Sequence, residues 1–208
     1  MITQLNQFLQ IIIQNFPAAF SFTLLLWIIH LFNMLSMNRL SLLGIIPRFW
    51  PSLPLGPFFS PLLHADATHL AHNSFPLLIL TSILFSKGIT PALCIMISCA
   101  YLSGVLTWIF ARTGCHIGSS ALVMSLMGYL LYQAYTSPSI SSIAVALVIV
   151  YYFGSLLLSF LPEDEKVSFE GHFFGLVSGI AIGYTGCIPL FKSLAQLISQ
   201  LITTINLF

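Results

Sequence analysis

Apolar residues run along this chain in blocks separated by short polar clusters, and the spacing inside each block predicts a helix and its limits. In residues 1–16, Ile2, Leu5, Phe8, Leu9, Ile12, Ile13 and Phe16 recur at helical steps against Gln4, Asn6, Gln7, Gln10 and Gln14, and Pro17 punctuates the run. That period is an interfacial helix with one greasy face. Residues 18–35 are almost wholly apolar. About 20 residues at 1.5 Å rise cross a hydrocarbon layer of about 30 Å, so this block predicts a first membrane crossing. His30 inside it reads as a packed or interface histidine.

Residues 37–66 break the pattern with Asn38, Arg39, Arg48 and prolines at 47, 51, 54, 57 and 61, yet keep Phe49, Trp50, Phe58 and Phe59. Aromatic anchors with helix-stopping prolines predict a long loop half-sunk in the interface. Further crossings are expected at residues 68–85, 89–110, 118–135, 140–161 and 169–188. Their breaks are Ser86-Lys87-Gly88, Ala111-Arg112-Thr113-Gly114, Ser137-Pro138, the polar turn Pro162-Glu163-Asp164-Glu165-Lys166, and Pro189. Beyond Pro189, Leu190, Leu194, Leu197, Ile198, Leu201, Ile202 and Ile205 form an apolar stripe against Lys192, Gln196, Ser199 and Gln200. The expected architecture is an all-α membrane protein with six crossings, a long interfacial first loop and amphipathic terminal helices. It divides into an interfacial segment 1–17, a six-helix domain 18–189 and a C-terminal helix 190–208.

Composition sharpens this. Only 5% of the 208 residues are charged and 58% are hydrophobic, with a mean hydropathy of +0.99, far from the balance of soluble domains. A net charge of +1 scattered between apolar blocks gives no footprint for nucleic acid or a polybasic lipid-binding tail. Residues 1–16 contain no Lys or Arg, so the segment lacks the basic start of a signal peptide and is expected to be retained. Cys94, Cys99, Cys115 and Cys187 lack metal-ligand spacing and read as structural thiols.

Polar groups inside crossings are expensive and usually functional. The second crossing begins with His69 and Asn73, the fourth with Ser119 and Ser120 in Gly118-Ser119-Ser120-Ala121, and the sixth with Glu170 and His172. Alternate crossings run in the same direction, so these three clusters share one depth near one face. His69 and Asn73, four residues apart, lie about 40° from each other round a helix. Gly175, Gly179 and Gly183 stay within about 60° of His172 and form a small-residue stripe that admits a neighbouring helix to backbone contact. If that neighbour is the fourth crossing, His172 meets Ser120.

A serine hydroxyl needs a base, and histidine suits both proton removal and its return to a leaving amine. The backbone N–H of Ser120, the Asn73 amide and His69 can donate to a developing oxyanion. Glu170 lies two residues from His172 on another helix face, which favours a Ser–His dyad over a triad. Each cluster alone has a plainer reading: a helix cap, a packing histidine, interface residues. Their common depth and the glycine stripe favour catalysis. His64, His72 and His116 suggest zinc only weakly, since His64 and His72 sit in different phases from His69 and no close ligand pair occurs.

The pattern His69-Leu-Ala-His-Asn73, the run Gly118-Ser119-Ser120-Ala121 with Leu126-Met127-Gly128, and Ser-Phe-Glu-Gly-His172-Phe-Phe-Gly175 together resemble the rhomboid intramembrane serine proteases over about residues 64–183. The resemblance implies the six-helix rhomboid fold, a Ser120–His172 dyad, and an oxyanion hole using His69 and Asn73. It also implies packing glycines that include Gly128, no metal or organic cofactor, and single-span membrane proteins as substrates within a lipid bilayer. Ala121 stands where the family usually has glycine and Met124 where an aromatic is common, and no Trp-Arg pair occurs near Phe58 and Phe59. The implied place is a cell membrane, of bacterial inner-membrane type, with the active site opening to the extracytoplasmic face. A count of Arg39, Arg48, Arg112 and Lys166 against Lys87 and Lys192 points the other way by the positive-inside rule. The rivals are a catalytically silent relative that binds transmembrane helices and a small transporter or proton relay. The relay would call for in-membrane charge pairs or paired broken helices, which the sequence does not display.

Overall fold

The computed structural model describes residues 2–139, 142–147, 149–151 and 169–205. The expected turn at 162–166 and most of the second half of the expected crossing at 140–161 lie outside these residues. The α-helices are α1 (Ile2–Leu35), α2 (Gly56–Phe59), α3 (Ala67–Phe85), α4 (Ile89–Phe110), α5 (Ser120–Thr136), α6 (Phe169–Thr185) and α7 (Pro189–Ile205). Positions 142–147 and 149–151 are helical too. Among the described residues the extended structure is a single antiparallel bridge between Ile45 and His116.

Residues 9–35 of α1 and the whole of α4 are long and apolar enough to cross a membrane. At 19, 17 and 17 residues, α3, α5 and α6 fall at the short end of what spans a hydrocarbon layer. Pro17 does not stop the first helix as its position suggests. It lies inside a continuous 34-residue α1, so the expected interfacial segment 1–17 and the first crossing are one helix. Proline removes one N–H and crowds the preceding turn, and membrane helices tolerate this when nearby groups satisfy the freed backbone. The carbonyl that loses its helical donor is that of Ile13, one turn earlier, and the Ser21 hydroxyl adds a side-chain bond to the Pro17 carbonyl at 2.9 Å, as helix serines do four residues on.

The core lies between α3, α4 and α5, where Leu77, Leu80, Leu84, Cys99, Leu126 and Met127 are fully buried. Helix α1 covers one side of it, packed on α3 and tied by the Trp27 indole N–H donating to Ser74 Oγ at 3.0 Å. On the other side α6 packs between α4 and α5. Helix α7 turns away through Gly186, φ +83, and anchors on α4 with Phe191 in an aromatic cluster with Phe58 and Tyr101. Ala195 is buried against the same surface, while Leu194, Leu197 and Leu201 stay exposed, as the apolar stripe predicts for an amphipathic helix.

The proline-rich stretch is ordered by specific bonds. Short 3-10 turns cover Arg39–Leu43, Trp50–Ser52 and Ser60–Leu62. Trp108 of α4 donates from Nε1 to the Phe49 carbonyl at 3.0 Å and packs its ring 4.9 Å from Trp50. Arg48 closes the C-terminus of α4, donating from Nη1 to Ala111 O at 2.8 Å and Ile109 O at 3.2 Å, where a cation also meets the negative end of the helix. It does so from a left-handed backbone, φ +61, which a β-carbon makes costly. These two effects separate experimentally. Arg48→Ala loses the clamp and keeps the strain, at about 1 kcal/mol for the exposed bonds. Arg48→Gly loses the clamp but relieves about 1 kcal/mol of strain, so thermal unfolding in detergent should place it nearer the wild type than Arg48→Ala.

Candidate active site

The three polar clusters come together at one end of the bundle. Asp66 caps α3, its carboxylate accepting from the His69 N–H at 2.8 Å. That bond holds the Asp66 carboxyl below the usual carboxylate range. A depressed carboxyl pKa stabilises the folded state above the unfolded value and loses that contribution as acid titrates the folded group, so the cap is complete at neutral pH. It sets His69 in the first turn, half-buried, and Asn73 one turn on, 7% exposed. The Asn73 amide nitrogen has no acceptor among the described residues, which leaves a donor aimed inward.

Helix α5 begins after a turn that only glycine can make. Gly118 has φ +128, and a Cβ there would come 2.6 Å from His69 Cε1. The missing side chain therefore satisfies the backbone and lets the His69 imidazole lie directly on the turn. The Gly118 N–H donates to Ser60 O at 2.9 Å, and the Ile45–His116 bridge holds the residues just before it. The long first loop thus clamps this turn from the side.

The two serines part company here. Ser119 occupies the cap position of α5 but makes no side-chain cap bond. It is 0% exposed, and its hydroxyl lies 2.9 Å from His64 Nε2. Ser120, the first residue of the helix, is half-buried and lines a cavity of about 30 Å³ together with Ser60, Ser103, Thr107, His116 and Gly171. The space is walled mainly by apolar atoms, with Ser60, Ser103, Thr107 and Ser120 among the lining residues, and is about the size of one water molecule. The cap expected of a Gly-Ser-Ser run is absent, so the first-turn N–H groups of α5 keep the partial positive charge of a helix start.

Among the described residues helices α5 and α6 form the most extensive helix pair and run parallel. A Cβ on Gly175 would meet the Ala121 carbonyl at 2.5 Å and Met124 Cβ at 2.9 Å. One on Gly179 would be driven into the Ser125 carbonyl, and one on Gly128 into that of Leu176, while Gly183 rests on the Tyr132 ring. These contacts step down both helices in constant register. His172, one turn above Gly175 and 5% exposed, therefore falls level with Ser119 and Ser120, and Gly171 beside it lines the same cavity as Ser120. The glycine stripe predicted a close neighbour, and the structure identifies it as α5.

Glu170 turns elsewhere. Its Oε1 lies 3.4 Å from Arg112 Nε and accepts the Arg112 backbone N–H at 3.2 Å, which ties the start of α6 to the α4–α5 loop. His72 is exposed on α3 and His116 Nε2 lies 3.0 Å from Arg112 O. Among the described residues no three His, Cys, Asp or Glu side chains are grouped to hold a metal ion. His30 is 3% exposed in α1, and neither ring nitrogen has a partner among the described residues. The four cysteines are unpaired, and the exposed Cys115 donates to Ser41 O at 3.3 Å.

Two residues that organise this end escaped the sequence reading in their actual roles. Arg48 reads as one loop cation among several, and His64 appears only as a weak metal candidate. Neither lies on a helix, so no periodicity places them. A signal for His64 exists only in its position, five residues ahead of His69 in a loop otherwise poor in polar side chains.

Comparison with known proteins identifies the family. The sequence profile of the Rhomboid domain matches residues 55–189. Uncharacterized proteins of Mycobacterium bovis and Mycobacterium tuberculosis are each 31% identical over 184 residues, covering 84% of this chain and 76% of theirs. An uncharacterized protein of Mycobacterium leprae is 28% identical over 184 residues, 84% of this chain and 72% of its own. A helical bundle that joins these polar clusters, matched over most of its length, belongs to the rhomboid family of membrane proteins, whose members are generally intramembrane serine proteases.

Proposed function

We propose that this protein is an intramembrane serine endopeptidase that cleaves single-span membrane proteins with a Ser120–His172 dyad. The observation that carries the reading is the glycine-to-backbone contact of α5 and α6, whose register supports pairing the buried His172 with the half-buried Ser120, a lining residue of a water-sized cavity. His172 takes the Ser120 proton as Oγ attacks the scissile carbonyl, and returns it to the departing amine. The Ser120 N–H, the Asn73 amide and His69 serve as the donors to the tetrahedral oxyanion in this reading, and loss of one such donor costs about 2.7–4 kcal/mol of transition-state stabilisation. A water admitted through the cavity then attacks the acyl-enzyme, with His172 again as base, and releases the second product. The chemistry uses no metal or organic cofactor. The protein would cross a bacterial inner membrane several times, its site opening to the extracytoplasmic side.

A second reading, a silent member that binds transmembrane helices, draws on Ala121 and on Met124, which is 1% exposed and packs at Gly175 in place of an aromatic. A fluorophosphonate probe with a single-span reporter separates the two. Active protein is labelled and cleaves, and His172→Ala loses both by at least ~10³-fold, the scale on which removal of a general base acts. Capture of the reporter with neither labelling nor cleavage would favour the silent binder.

A further inference from the structure

The best-buried imidazole near the site belongs to neither member of the dyad. His64, 1% exposed, meets Ser119 twice through one atom. Its Nε2 lies 2.9 Å from Ser119 Oγ and accepts the Ser119 backbone N–H at 3.2 Å. A backbone N–H can only donate, so Nε2 is bare and the ring proton sits on Nδ1. The Ser119 hydroxyl must then donate to the same nitrogen. Nδ1 has no partner among the described residues, and the ring stands edge to face with His69, centroids 5.3 Å apart and planes at 72°. His69 in turn lies on Gly118. One neutral imidazole therefore contacts both the residue before Ser120 and the ring proposed to face the oxyanion.

We infer that His64 is a positioning residue for the reaction: as the Nδ1–H tautomer it pins the Ser119 peptide and hydroxyl, and thereby fixes Ser120 Oγ and the first-turn N–H groups of α5 relative to His69. The inference rests on the hydrolase reading for its catalytic consequence but not for its hydrogen bonds. It also accounts for the missing cap. Ser119 gives its hydroxyl to His64 and leaves the N-terminus of α5 without a side-chain acceptor. Burial, with the neighbouring His69 and His30 adding to it, lowers the His64 pKa to about 3, so the bare Nε2 persists through the working pH range. It also makes Ser119–His64 a poor second dyad. The pair is sealed from substrate, and its base is too weak to remove a hydroxyl proton near neutrality.

The test compares His64→Gln, whose Oε1 can reach as an acceptor, with His64→Met, similar in length and lacking one. The reporter assay should show kcat falling ~30–100-fold in His64→Met, the scale set by a misplaced reacting group. KM should stay within ~2-fold of wild type, because substrate contacts are untouched, and His64→Gln should recover most of the loss. Wild-type kcat in His64→Met, or equal losses in the two variants, would overturn the inference. Should His64→Met fail to fold, Ser119→Ala removes only the hydroxyl half of the pairing. A ~3-fold or greater fall in kcat at constant KM supports the role there, and an unchanged kcat opposes it. An activity-free arm uses ¹⁵N-histidine spectra of the full chain in detergent, with His64 assigned by its absence in His64→Gln. A bare Nε2 at pH 5–8 supports the pairing, and a protonated Nε2 overturns it. Wild-type protein that cleaves no reporter would overturn the hydrolase reading and the catalytic consequence with it, while the spectrum still decides the hydrogen bonds.

Discussion

Ser120→Ala leaves the bundle folded and takes cleavage of a single-span reporter below detection, a loss of at least ~10⁴-fold, as removal of a serine nucleophile does elsewhere. The expected loss is this complete because, among the described residues, no neighbouring hydroxyl can substitute. Ser119 is fully buried with its oxygen on His64. Ser60, Ser103 and Thr107 line the cavity but lie in the first loop and within α4, away from the N-terminus of α5. The fold should not notice the change, because Ser120 is half-buried at the first position of α5 and alanine propagates a helix at least as well as serine. Reporter cleavage and thermal unfolding measured in one detergent check both halves. Residual cleavage above ~1% that survives in Ser120→Ala but vanishes in a Ser119→Ala/Ser120→Ala pair would move the nucleophile to Ser119.

How much of this was legible in the sequence depended on periodicity. Glycines at 175, 179 and 183 repeat once per turn, and while the identity of their neighbour, α5, came only with the folded bundle, a close helix contact on the His172 face followed from the chain. The same held for His69 and Asn73, which share a face of α3 because four residues nearly complete a turn. Pro17 misled because its local effect is to stop a helix in water, whereas within an apolar stretch the alternative to helix leaves backbone groups unpaired in lipid. The first loop was the largest gap. Arg48 on the carbonyls closing α4, Ser60 on Gly118 and His64 on Ser119 are contacts between residues far apart in sequence and in irregular backbone. No repeat encodes them, and only the folded loop shows that it serves as a clamp on the nucleophile turn. Its histidine also gives the site an acid limit. The pKa of His64 is depressed in the folded protein to about 3, so between the usual histidine range and that value the unfolded chain binds more protons. Stability therefore falls as pH drops through that window.

Gly179→Val should separate the two helices on which the whole site depends. At Gly179 a Cβ would be driven into the Ser125 carbonyl, with the Tyr129 N–H close behind. Both obstacles are backbone, so no rotamer change relieves them and α6 must move as a body. Overpacking of a core usually costs 1–3 kcal/mol when side chains can shift; where helix backbones themselves touch, the loss should exceed ~3 kcal/mol. Gly183→Ala provides the contrast, because its Cβ would meet the Tyr132 side chain at 2.7 Å, and a half-buried ring can swing aside at a cost of about 1 kcal/mol. The activity readout should be steeper than the stability readout. A shift of α6 by even ~1 Å carries His172 away from Ser120 and costs ~10²-fold in rate, so Gly179→Val protein that still folds in detergent should react with a fluorophosphonate at least that much more slowly. If Gly179→Val unfolds and labels like wild type, α5 and α6 are not in backbone contact at this level, and the register that sets His172 beside Ser120 is wrong.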